Sequence, residues 1–134
     1  MPRLHPLHAV LLAGTVPVFL GALFNDVAYS MSYELQWKNF ASWSLLWGFV
    51  LGVLAFAWAL IGVLRDRGRA PRRLLSAGLL LAACGLAFVN VLVHAQDAWA
   101  SMPAGLVLSI VVVVLATAAT WLGLSTAYER VVSP

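Results

Sequence analysis

The chain has 134 residues, of which 63% are hydrophobic and only 10% are charged, and its mean hydropathy is +0.94. Soluble domains carry about 45–50% apolar and about 25% charged residues. The composition therefore excludes a soluble globular domain, a disordered chain and a disulfide scaffold. It indicates a small polytopic membrane protein, because about four spanning helices of about 20 residues each leave no room for a soluble catalytic domain.

Basic residues are concentrated in one stretch. The formal net charge is +3, and five of the eight Lys and Arg residues are arginines within residues 65–73, between two apolar runs. This pattern is typical of a cytoplasmic loop of a membrane protein. We therefore expect the lipid bilayer to be a partner of this chain, and we expect no nucleic acid.

Four runs of the sequence contain no Asp, Glu, Lys or Arg, and each is long enough to cross about 30 Å of hydrocarbon. None of them alternates apolar and polar residues, which excludes a β-barrel and leaves helices as the spanning structure. The predicted fold class is all-α, a polytopic membrane protein with a bundle of four transmembrane helices. The helices are predicted at about 5–28, 40–64, 74–96 and 103–128 of one membrane domain, 1–134.

Three polar breaks separate these runs, at residues 26–38, 65–73 and 97–103. Pro103 suits the first turn of the last helix. Placing the arginine-rich break in the cytoplasm puts seven of the eight basic residues on that side and only Lys38 on the other. The prediction is a protein of the bacterial inner (cytoplasmic) membrane with both termini cytoplasmic. A signal peptide cleaved after residues 28–30 is the alternative for the first span.

Two pairs of small residues lie four positions apart, Gly48 with Gly52 and Gly78 with Ala82. Such pairs allow transmembrane helices to approach closely. In a protein of four helices, we expect both pairs to pack inside the bundle. A homo-oligomer or another membrane protein is the alternative partner for them.

Two histidines at the start of the first helix form one candidate site. His5 and His8 are three residues apart and can share a helical face, and imidazole is the commonest metal ligand. They are therefore a candidate metal site. Pro6 lies between them, so the alternative is a pair of interfacial histidines that anchor the start of the helix.

A second cluster lies at the opposite, outer end of the predicted bundle. Asn90, His94 and Asp97 follow one another at spacings of four and three, which puts them on one helical face. Asp26 closes the first helix at the same level, and Tyr29 and Tyr33 follow it. These polar residues form either a cofactor-binding or proton site, for a metal, a haem or a quinone, or a hydrogen-bonded cluster that ties the first and third helices together. We expect a carboxylate beside His94; if it is that of Asp26, helices 1 and 3 must be neighbours.

One haem cannot be held by His8 and His94 together. The two lie at opposite ends of the bundle, about 25 Å apart along a helix that rises about 1.5 Å per residue. The sequence has no Ser-His-Asp set and no phosphate loop, and nothing in it proposes a covalent mechanism. The identity of any cofactor stays open.

Several short motifs are spread along the chain: His5-Pro-Leu-His8, Pro17, Asp26-Val-Ala-Tyr29, residues 90–99, residues 120–123 and Tyr128. In these motifs the sequence resembles the bacterial DUF2231 family of four-helix membrane proteins. The family often has a proline after the second histidine, where this chain has Ala9, an aspartate where it has Gly62, and a histidine beyond the position of Tyr128. The resemblance therefore implies the fold and no chemistry, and it implies that His5 and His8 lack two polar partners.

The sequence favours a non-catalytic integral inner-membrane protein, an accessory or interaction subunit. The alternative is a membrane redox or ligand-binding protein that uses Asp26, Asn90, His94 and Asp97. A small transporter is disfavoured, because no ionisable residue lies in the middle of a predicted span.

Overall fold

The computed structural model describes residues 5–96 and 98–132, and four long helices account for most of them. The helices are α1 (Pro6–Ser32), α2 (Leu35–Arg65), α3 (Pro71–His94) and α4 (Ala104–Val132), with a short 3-10 turn at Ala98–Ser101. Each of the four is long and apolar enough to cross a membrane. The prediction of an all-α protein with four transmembrane helices is confirmed.

The connection between α1 and α2 is much shorter than the polar break at 26–38 indicated. Only Tyr33 and Glu34 separate the two helices. Polar residues at the end of a span do not interrupt a helix, because its backbone hydrogen bonds continue regardless of the side chains. α1 ends where Tyr33 adopts the left-handed conformation, with φ of 60°, and its N–H donates to the carbonyl of Tyr29.

The last helix, α4, begins at Ala104, one residue after the start predicted from Pro103. The carbonyl of Pro103 accepts a hydrogen bond from the N–H of Val107, so Pro103 occupies the capping position in front of Ala104. At the start of α1, His5 has the same role. Its Nδ1 accepts a hydrogen bond from the N–H of Leu7 at 3.2 Å.

The helices are arranged so that α1 and α3 lie diagonally opposite each other. α1 packs chiefly against α2 and α4, and α3 packs chiefly against the same two helices. The connections reverse the chain each time, so the starts of α1 and α3 share one end of the bundle with the ends of α2 and α4. We call this the arginine-loop end, after residues 66–70, and the opposite end, with the turn at Ala98–Ser101, the network end.

The centre of the bundle is built from a few large side chains among alanines and glycines. Phe19, Leu45 and Val112 are fully buried at its middle. A Cβ atom on Gly48 would lie 2.5 Å from Cε1 of Phe19, and one on Gly52 would lie 2.8 Å from Sγ of Cys84. The first pair of small residues therefore packs inside the bundle, as predicted.

The second pair of small residues does not pack inside the bundle. Gly78, Ala82 and the next glycine on the same face, Gly85, are exposed on α3, and nothing lies within 4 Å of a Cβ built on either glycine. The expectation of internal packing is wrong for this pair. α3 turns its other face inward, with Leu80, and in a helix that is apolar all round the sequence carries no contrast that decides between the two faces.

Candidate functional site

A histidine and an aspartate meet at the network end, deep in the bundle. Nε2 of His94 lies 2.7 Å from Oδ1 of Asp26, and both side chains are 0% exposed. His94 is the last residue of α3, and Asp26 lies in the last two turns of α1. The carboxylate partner expected for His94 is therefore Asp26, reached across the bundle axis. The requirement that α1 and α3 be neighbours is wrong, because the two side chains span the diagonal.

Two further polar side chains complete what we call the buried network: Asp26, Asn90, His94 and Ser109. Ser109 of α4 donates from Oγ to Oδ2 of Asp26 at 2.5 Å, and Nδ2 of Asn90 donates to Oγ of Ser109 at 2.8 Å. Nδ1 of His94 lies 2.9 Å from the carbonyl of Asn90. The network thus joins three of the four helices at one point.

The hydrogen-bond partners limit where protons can lie in this network. A carbonyl accepts only, so Nδ1 of His94 donates to Asn90. The hydroxyl proton of Ser109 is directed to Asp26. A hydrogen bond between Nε2 of His94 and Oδ1 of Asp26 then requires one further proton, in either an imidazolium–carboxylate pair or a neutral pair. Both arrangements have no net charge, which lets an ionisable pair lie inside a membrane protein.

A glycine on α4 makes room for the imidazole ring. A Cβ atom on Gly105 would lie 2.7 Å from Cε1 of His94 and 3.4 Å from each ring nitrogen. α4 therefore packs its backbone against the ring, one turn before Ser109 supplies its hydroxyl. The imidazole ring is thus buried against the backbone of α4.

Aromatic and basic side chains lie at the same end of the bundle as the buried network. The rings of Tyr29 and Tyr33 pack on that of Trp99 in the 3-10 turn, at centroid distances of 5.9 and 4.8 Å. Lys38 is buried, and its Nζ donates to the carbonyl of Gln96 at 2.5 Å. Lys38 thus ties the start of α2 to the segment that follows α3.

The sequence proposed Asp26, Asn90, His94 and Asp97 as one cluster at this end, and the binding of a cofactor there stays a prediction. The structure brings Asp26, Asn90 and His94 together, and Asp97 lies outside the described residues. Ser109 was missed by the sequence analysis. The signal that could have found it is a serine four residues after Gly105 in a run that is otherwise almost entirely apolar.

The histidines of the other candidate site lie at the arginine-loop end. The rings of His5 and His8 lie 4.9 and 6.4 Å from that of Trp58. Across residues 5–96 and 98–132, no three His, Cys, Asp or Glu side chains form a group that could hold a metal ion. A metal on His5 and His8 stays a prediction, and the capping hydrogen bond of His5 matches the alternative of an anchored helix start.

Four apolar helices that enclose a buried polar network define an integral membrane protein of the all-α class. The chain belongs to the family described as "Predicted membrane protein (DUF2231)", whose model matches residues 4–133. Comparisons with curated proteins and with solved structures give no match. The resemblance read from the sequence motifs is thereby confirmed.

Proposed function

We propose that this protein is a non-catalytic accessory subunit of the bacterial inner membrane, which acts by associating with other transmembrane helices. The observation that carries the proposal is the hydrogen bonding among Asp26, Asn90, His94 and Ser109 in the buried network. The polar groups that are most costly to place in a membrane bind one another, from three helices, and so hold the bundle together. Such an arrangement fixes the helices relative to one another, and we call this structural role of the buried network the clamp.

A second candidate function, the binding of a metal, haem or quinone at the same network, is favoured by one atom. Oδ1 of Asn90 is buried and has no hydrogen-bond partner among residues 5–96 and 98–132. A cofactor at this place would have to displace Asp26 from His94 or Ser109, because these groups already use one another. A structural role therefore explains the three side-chain hydrogen bonds of the network, whereas a cofactor site explains only the unpaired Oδ1 of Asn90.

The surface that supports association is the small-residue face of α3, formed by Gly78, Ala82 and Gly85. All three residues are exposed and lie within about one third of the helix circumference, at spacings of four and three. In a bilayer, helix association depends on close van der Waals packing, which small residues permit. This face offers close approach to a helix of a second copy or of another membrane protein.

Photo-crosslinking in native membranes tests the association. A benzophenone amino acid in place of Val89, on the same face one turn after Gly85, is expected to form an adduct with protein. The same group in place of Val114, which is exposed on α4, is expected to form none. Gly85→Leu should remove most of the adduct at position 89 by blocking close approach. Equal adducts at both positions, or none at either, would contradict the proposal.

We also propose that both termini face the cytoplasm. The support is the charge distribution, since seven of the eight basic residues then lie on the cytoplasmic side. A fluorescent reporter fused after Pro134 is expected to fluoresce, which requires the cytoplasm. Alkaline phosphatase inserted between Tyr33 and Glu34 is expected to be active, which requires the periplasm. The opposite result at both places would reverse the orientation.

A further inference from the structure

A cavity of about 300 Å³ opens at the arginine-loop end of the bundle, remote from the buried network. All four helices line it, together with the loop after α2. Its basic and aromatic lining residues are His5, His8, Trp58, Arg65 and Arg73. The volume is at the lower limit of about 300–1,000 Å³ for small-molecule sites. It suits a compact polar group better than a whole lipid or a large cofactor.

His8, which lines the cavity, has a buried ring nitrogen that is unpaired among the described residues. His8 is only 9% exposed, and its Nε2 has no hydrogen-bond partner in the part of the chain that the structure describes. Buried polar atoms are normally paired, because an unpaired one loses its hydration without compensation. The neighbouring hydroxyls are engaged elsewhere: Ser76 donates to the carbonyl of Ala119, and Thr126 donates to that of Leu122. Nε2 of His8 is thus free for a ligand.

The charges on the cavity lining favour an anion. Arg65 and Arg73 contribute two positive charges, and Asp66 contributes the one carboxylate among the lining residues that the structure describes. Asp66 binds Nη1 of Arg73, and a guanidinium carries five N–H donors, so Arg73 can hold Asp66 and a second acceptor at once. Arginine is the residue best suited to the oxygens of a phosphate group. A metal cation would meet net positive charge here.

We propose that this cavity binds a phosphate group, with Arg73 and Arg65 contacting its oxygens and His8 completing the hydrogen bonding. The group can belong to an anionic phospholipid or to free inorganic phosphate. Ile61, which lines the cavity, is exposed on α2, so an acyl chain has an apolar path away from a bound headgroup. This inference is independent of the proposed association through α3.

The test uses the full chain, delipidated in an uncharged detergent at one fixed salt concentration. Binding of dimyristoylphosphatidylglycerol and of inorganic phosphate is measured separately, from the thermal stabilisation that each produces. For whichever of the two probes binds the wild type, Arg73→Gln is expected to weaken binding about tenfold or more, as for a lost charge-assisted hydrogen bond. His8→Leu should weaken it severalfold. Arg69→Gln is the matched control, because this exposed loop arginine does not line the cavity.

A second variant keeps the test informative if Arg73→Gln fails to fold. A Cβ atom on Gly62 would lie 3.8 Å from Nη1 of Arg73. Gly62→Asp therefore adds a carboxylate that competes with the phosphate and leaves both arginines in place. Binding of the lipid alone identifies a headgroup site, and binding of inorganic phosphate identifies a site for the free anion. Binding of neither probe, or an equal loss in Arg69→Gln and Gly62→Asp, would overturn the proposal.

Discussion

Asp26→Ala is expected to lower the free energy of unfolding by about 2–6 kcal/mol, because it leaves two buried hydrogen-bonding groups unpaired at a cost of about 1–3 kcal/mol each. The substitution leaves Nε2 of His94 and the hydroxyl of Ser109 without the hydrogen-bond partner they share, in a place that water does not reach. The measurement is equilibrium unfolding of the purified protein in detergent. Glu34→Ala, at an exposed acid, is the control and should change stability by less than about 0.5 kcal/mol.

A double-mutant cycle separates the clamp from a cofactor site. If Asp26 and His94 stabilise the fold through each other, the double variant Asp26→Ala/His94→Ala should be more stable than the sum of the two single losses predicts. Each variant is also checked for metal content and for visible absorbance. A chromophore or metal that is present in the wild type and lost in a folded His94→Ala protein would contradict a purely structural role of the buried network and favour the cofactor function.

Phe19→Ala is expected to destabilise the bundle by about 2–3 kcal/mol. In a membrane the transfer of an apolar side chain from lipid to protein contributes little, so the cavity left behind dominates. At about 24 cal/mol per Å³, a void of about 100 Å³ gives about 2.4 kcal/mol. Phe19 is 1% exposed at the bundle centre, and Phe24 on the same helix is 66% exposed. Phe24→Ala is therefore the matched control and should cost little.

A rescue experiment shows whether the loss at Phe19 is one of packing. Gly48→Ala alone should destabilise the protein, because the added methyl would lie 2.5 Å from the Phe19 ring. In the Phe19→Ala background the same methyl enters the vacated space, so Gly48→Ala should become neutral or stabilising. If Gly48→Ala had the same sign in both backgrounds, the two residues would not be in contact as described.

The number and approximate extent of the spans could be read from the sequence alone. A run of more than 20 residues without Asp, Glu, Lys or Arg is stable in a bilayer only as a helix, whatever it packs against. The same local reasoning put Asn90 and His94 on one helical face, since four residues are close to one helical turn. The family followed from short motifs, such as the one from His5 to His8, and the match over residues 4–133 confirms it.

Which residues meet was decided by the tertiary structure. The partner of His94 is Asp26 on the diagonal helix, Ser109 joins them from α4, and Gly105 makes room for the ring. None of these contacts is encoded in local spacing. In a soluble protein the polar face of each helix marks the outside, but here lipid is as apolar as the core. It was therefore not possible to predict from the sequence that Gly78 faces outward while Gly48 packs on Phe19. The two glycines are distinguished only by the packing of the assembled bundle.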